Sequence, residues 1–172
     1  MKVRLGELID SAARSTGVDY TLLACIVYKE SEGNIWAHRY EPAFYNDRIE
    51  PLSREMLSGY VPPHLPNLAT EKRNRAFSFG LCQILGETAR SKLHFNHDNL
   101  SELFDPELNL LMGGTLLALL DADYKWIPDP KEREKAVVKR YNGKGEAARV
   151  YQEGVFRIRD SEIWQTILDI TV

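Results

Sequence analysis

The chain has 172 residues, 44% of them hydrophobic and 27% charged, which suits one globular domain with a sizeable core. Its net charge of -3 leaves no broad basic bias, which argues against nucleic acid or an anionic membrane as the main partner. Two cysteines, Cys25 and Cys82, do not make a disulfide framework; each sits in an apolar run and reads as a small core residue, with a bridge between them left open.

The N-terminal stretch MKVRLGELIDSAARS lacks the continuous apolar core of a signal peptide. Leu5, Leu8, Ile9, Ala12 and Ala13 instead give a first amphipathic helix, closed by Gly17. Asp19 then caps a second helix, with Leu22, Leu23, Ile26 and Val27 at the three-and-four spacing of a buried face. The next position on that face is Glu30, so a carboxylate continues an apolar stripe just before Gly33-Asn34 stops the helix. Taken alone, this glutamate is either bent outward toward an arginine or a catalytic acid at the edge of a cleft.

From Asn34 to about Arg75 the periodicity weakens, and Pro42, Pro51, Pro62, Pro63 and Pro66 punctuate an irregular insertion of approximately 34–76. Only Leu52 to Tyr60 is expected to be helical within it. FSFGLCQIL then runs into a helix from about Gly86 to Leu93. Asp105-Pro106 is a strong helix start, followed by an apolar face of Leu108, Leu111, Met112, Leu116, Leu119 and Leu120. This predicts the central buried helix, with a close neighbour at Gly113-Gly114. The apolar run Leu108 to Leu120 is too short to span a membrane. Further helices are predicted over Lys131 to Tyr141, Glu146 to Val155 and Ser161 to Ile170. No long alternating pattern appears, so the class is mainly α, in a single domain over 1–172.

Three stretches are more specific than a core requires: Glu30-Ser31, SFGLCQ over Ser78 to Gln83, and Tyr141-Asn142-Gly143 with Tyr151 beyond. Each has a plain alternative: Gly80 as a turn, Gln83 as a satisfied polar residue, Asn142-Gly143 as a helix stop. His94 and His97 lack partners for a zinc site and read as surface residues. Ser78 has no His-Asp context for nucleophilic attack. The Lys131 to Lys139 charge run is a solvated helix face. Trp36 and Tyr40 either offer a sugar ring a flat surface or pack against the first helices.

In this order the elements VDYTLLACIVYKES, SFGLCQI, DPELNLLMGG and RYNG resemble the catalytic domain of soluble lytic transglycosylases and goose-type lysozymes, over roughly Val18 to Arg157. Cys82 stands where that family usually has Met, and Arg140 where it has a small residue. Within the insertion, HRYEPAFY resembles a variant of phage-type cell-wall lysins. The resemblance implies a lysozyme-like fold, peptidoglycan glycan strands as partner, no cofactor and no metal. It further implies that Ser78 and Gln83 hold the glycan, that Tyr141 and Asn142 line the site, and that Tyr151 stacks or hydrogen-bonds nearby.

Chemistry agrees with the name. Cutting a glycosidic bond needs a carboxylic acid that stays protonated near neutral pH, which a desolvated Glu30 supplies. A transglycosylase needs no second carboxylate, because the sugar's own 6-hydroxyl closes on the anomeric carbon. A muramidase needs one, and Glu41, Asp47 and Glu50 are the candidates. Glu41 stands first among them, against a plain ion pair with Arg39 or Arg48. The expected function is a lytic transglycosylase on the β-1,4 bond between N-acetylmuramic acid and N-acetylglucosamine. The alternatives are a muramidase on the same bond and an inactive glycan-binding or virion module. The protein is expected to be a monomer, made in the cytoplasm and reaching the wall as a phage-type lysin or as part of a virion.

Overall fold

Residues 2–64 and 67–172 are described by the computed structural model; Pro66, one of the five prolines of the irregular stretch, lies outside them. Helix α1 (Leu5–Thr16) buries Leu5, Ile9, Ala12 and Ala13 and ends at Gly17, whose φ of 72° suits a residue without a Cβ. Helix α2 (Tyr20–Ser31) begins where the Asp19 carboxylate accepts from the Leu22 amide at 2.8 Å. All six residues from Leu22 to Val27 are buried, so this helix is enclosed on every side through its middle turns.

The weakly periodic stretch contains more structure than its sequence predicts. It holds strand β1 (His38–Tyr40), a short helical turn α3 (Pro42–Phe44) that widens into a π-helical turn at Tyr45–Ile49, and a 3-10 turn at Arg54–Met56. Helix α4 (Leu68–Arg75), capped by the Asn67 side chain, was not expected at all. The cause is its composition: LATEKRNR has almost no apolar face, and the residues it buries are Glu71 and Arg75. Strands β2 (Phe77–Phe79) and β3 (Ile84–Leu85) complete a small antiparallel sheet in the order β1-β2-β3, with Ser78 opposite both Arg39 and Leu85. Strands of two or three residues are too short to leave a period-two signal.

Helix α5 (Gly86–Ser91) follows, and then α6 (Pro106–Asp123), capped by Asp105 on the Leu108 amide at 2.8 Å. The long helix is where the Asp-Pro signal puts it, but its buried face is rotated from the predicted one. Asn109, Leu110, Gly113, Gly114, Leu116, Leu117 and Leu120 face inward, whereas Leu111 and Leu119 are 38% and 44% exposed. The rotation follows from the glycines, which let neighbours sit against the backbone. A Cβ on Gly114 would lie 2.6 Å from Thr16 Oγ1 of α1, and one on Gly113 would lie 2.4 Å from Cys82 Sγ. Helix α7 (Pro130–Asn142) ends at Gly143, and α8 (Gly145–Ser161) runs unbroken past Val155. A 3-10 turn, Ile163–Ile167, replaces the last predicted helix, and Arg4 bridges to Thr171 near the two ends. One continuous apolar core joins α1, α2, α6, α7 and α8, with both cysteines buried in it as free thiols. The fold is mainly α. No helix among the described residues is long and apolar enough to cross a membrane.

Beside this core lies an ionic one. Glu71 accepts from Arg75 Nε at 3.0 Å and from Arg90 Nε at 2.9 Å, and Arg75 Nη1 reaches Glu87 at 2.8 Å. Arg75 also donates to the carbonyls of Ser58 and Tyr60, and Arg90 to those of Phe95 and His97. Two carboxylates thus balance two fully buried guanidiniums, and the spare donors pin two loops that have little apolar burial of their own. Arg75 stands two residues before β2, so the network anchors the strand that carries Ser78. Removing one partner leaves charge buried without compensation. Glu71→Gln should therefore cost about 3–5 kcal/mol, read as a lower urea midpoint; an unchanged midpoint would mean that the carbonyls alone satisfy both arginines.

Candidate active site

Residues 79–83 form a turn that is held from three directions. Gly80 has φ 68°, and a Cβ there would meet Asn109 Nδ2 at 2.6 Å and the Leu103 carbonyl at 2.7 Å. Asn109 of α6, fully buried, donates to the Phe79 and Leu103 carbonyls at 2.9 and 2.7 Å and accepts from the Cys82 amide at 2.8 Å. Ser31, in the last turn of α2, donates to the Leu81 carbonyl at 2.9 Å. Tyr141, at the end of α7, donates to the Cys82 carbonyl at 2.8 Å. Backbone groups that would otherwise be orphaned in the interior are paired by side chains from three helices.

This turn brings the ends of α2 and α7 together around one cleft of about 480 Å³. Glu30, Glu41, Ser78, Gln83, Tyr141 and Asn142 all line it, together with Arg39, Lys92 and Arg140. Tyr151 of α8 stands behind the lining and donates its hydroxyl to Glu30 Oε1 at 2.6 Å. The residues singled out in the sequence are therefore brought to one place. Asp47 and Glu50 are exposed and lie outside the cleft lining. Trp36 is 65% exposed and leans on Phe104, and Tyr40 packs on Phe77.

Glu30 sits in the last turn of α2, one turn beyond the enclosed Ile26 and Val27. Burial pushes its carboxyl above the ordinary range, against the smaller opposing pulls of the Tyr151 hydrogen bond, Arg39 and Lys29. Tyr151 is itself buried, and burial with the adjacent carboxylate drives its phenol far up, so it remains a donor. Glu41, the other carboxylate of the lining, is tied to Arg39 Nε at 2.5 Å. That is the plain ion pair named beside its functional reading in the sequence. Gln83, at φ 46°, donates its amide nitrogen to the Ala37 and Gly80 carbonyls at 2.9 and 3.0 Å, which leaves only its amide oxygen for a ligand.

Three contributions were not read from the sequence. Asn109 stands in the sequence within the helix start DPELN, and the only signal for its role is a polar residue between apolar ones on a core helix. Ser31 stands beside Glu30 with nothing local to announce its tether. Lys92 and Arg140 add positive charge to the cleft; Lys92 carries no local pattern that marks it, and Arg140 stands out only as the departure before Tyr141-Asn142. Cys82 fits where it stands because Gly113 leaves room for its sulfur. Among the described residues no three His, Cys, Asp or Glu side chains converge as metal ligands.

A family model described as "Transglycosylase SLT domain" matches residues 7–160 of the chain. No curated protein and no solved structure matches it.

The raised proton affinity of Glu30 has a stability consequence of fixed sign. Its carboxyl binds a proton more tightly in the folded state than in the unfolded one, so ionising it costs stability as pH rises above the unfolded value of about 4.3. Glu30→Gln should melt above the unmodified protein at neutral pH, and the gap should close in acid; a lower melting temperature for the variant at pH 7 would show a carboxylate stabilised by its site.

Proposed function

We propose that this chain, which belongs to the transglycosylase SLT domain family, cuts the β-1,4 bond between N-acetylmuramic acid and N-acetylglucosamine and releases a 1,6-anhydro product. Membership of the family gives a lytic enzyme acting on peptidoglycan of the cell wall. The bond and the product are our reading of the cleft.

The observation that carries it is a single carboxyl with raised proton affinity, Glu30, in a cleft whose other carboxylate is already ion-paired. Glu30 gives its proton to the glycosidic oxygen as the bond from the anomeric carbon breaks. The carboxylate so formed then takes the proton of the muramic 6-hydroxyl as that oxygen bonds to the same carbon. One group serves as acid and then as base, and no water or second carboxylate enters. Tyr151 steadies the ionised intermediate state, because its hydrogen bond favours the charged form. Ser78, the amide oxygen of Gln83 and Asn142 contact the glycan, and Tyr141 acts by fixing the turn. A muramidase route would call on Glu41 to direct a water, which its pairing with Arg39 does not favour.

Digests of purified peptidoglycan analysed by mass spectrometry test the product: anhydro ends are expected, and reducing ends would overturn the reading. Glu30→Gln should lower activity by at least about 100-fold, the scale of general acid catalysis; clearing at the unmodified rate would remove Glu30 from the mechanism. Tyr151→Phe removes an interaction that holds the Glu30 proton affinity down, so the alkaline limb of the pH–rate profile should move to higher pH. A shift the other way would show that the phenol serves the protonated form.

A further inference from the structure

The cleft does not end at Asn142. Past Arg140 and Gly143, which line both, lies a second hollow of about 370 Å³ between the α6–α7 connection and the start of α8. Its floor is Tyr124, Trp126, Ile127 and Ala136, and Lys139, Arg140 and Lys144 stand around it. Trp126 is 73% exposed, the most of any large apolar side chain among the described residues, and the connection that carries it is held by the Ile127 amide on the Tyr124 carbonyl at 2.9 Å. No carboxylate lines the hollow, and among the described residues none of its three cations is in an ion pair. Glu146, which Lys139 influences, is engaged by Arg149.

We propose that this hollow receives the carboxylate-bearing peptide stem of the glycan strand whose sugars occupy the cleft. The proposal rests on the peptidoglycan reading above. Continuity through Arg140 and Gly143 places the hollow within reach of a substituent on a sugar bound near Asn142. Charge selects the stem over a further sugar: N-acetylglucosamine is neutral and gives three cations no partner, whereas the stem carries free carboxylates beside alanine methyls and aliphatic chains. A flat indole among cations meets both parts of such a ligand. Nothing in the bond-breaking chemistry requires this hollow, so its contribution is to substrate choice.

The test compares two substrates, glycan strands with their peptide stems and the same strands after amidase has removed them. The protein should cut stem-bearing strands about tenfold more efficiently. Trp126→Ala and Lys144→Glu, both at exposed positions outside the cleft lining, should lose that preference while keeping the unmodified rate on stripped strands. Variants that match the unmodified protein on both substrates would overturn the proposal, and so would an equal loss on both, which would mean that the hollow seats a sugar. Binding is read separately from the indole N–H resonance of Trp126, titrated with the stem tetrapeptide that the amidase releases. A shift abolished by Lys144→Glu supports the proposal, and no shift overturns it. If the protein cuts neither substrate, the proposed reaction fails while the resonance still decides the occupant of the hollow.

Discussion

The cleft depends on a turn that does not hold itself together. Residues 79–83 place two residues in the left-handed region and turn backbone amides and carbonyls into the interior, where each unpaired group would cost roughly 1–3 kcal/mol. Asn109 supplies two of the missing bonds and ties the turn to the Leu103 carbonyl with a third, while Ser31 and Tyr141 supply one each. Because these side chains come from α6, α2 and α7, satisfying the turn also fixes where those helices end relative to one another. The ends of α2 and α7 are the places where Glu30, Tyr141 and Asn142 stand. Local backbone accounting and the geometry of the site are therefore the same constraint.

The second balance is electrostatic. A glutamate at the edge of an enclosed helix loses much of its hydration, and the site returns only part of it through one phenol and two nearby cations. Had Arg39 been turned fully on Glu30, the carboxyl would be held ionised and unfit to donate a proton. Arg39 is taken up instead by Glu41, which follows the end of β1. The buried Glu71–Arg75–Arg90 cluster works at longer range, since it fixes the start of the strand on which Ser78 lies.

Legibility in the sequence followed the physics of each element. Helices α1 and α2, the Asp105-Pro106 start of α6 and the stop at Gly143 were readable because apolar period and caps are local signals. The placement of Glu30 at the edge of the core was readable because a charge on a buried stripe breaks the local rule. The face of α6 was misread: periodicity counts Leu111 and Leu119 as core and passes over Gly113 and Gly114, which bury by their smallness. Helix α4 was invisible because its buried face is made of charge, which only partners distant in sequence can neutralise. The three strands were missed for their shortness. The tethers of Asn109, Ser31 and Gln83 join residues far apart in the chain, so no local pattern announces them.

Burial at the end of α2 raises the proton affinity of Glu30 above that of an ordinary glutamate. A carboxyl-carbon NMR titration of the intact protein, with Glu30→Gln to assign the resonance, measures this directly. A midpoint for Glu30 clearly above about 4.3, the ordinary value for glutamate, is expected. A midpoint at or below that value would contradict it, because Tyr151 and the nearby cations would then outweigh burial and leave Glu30 without a proton to give.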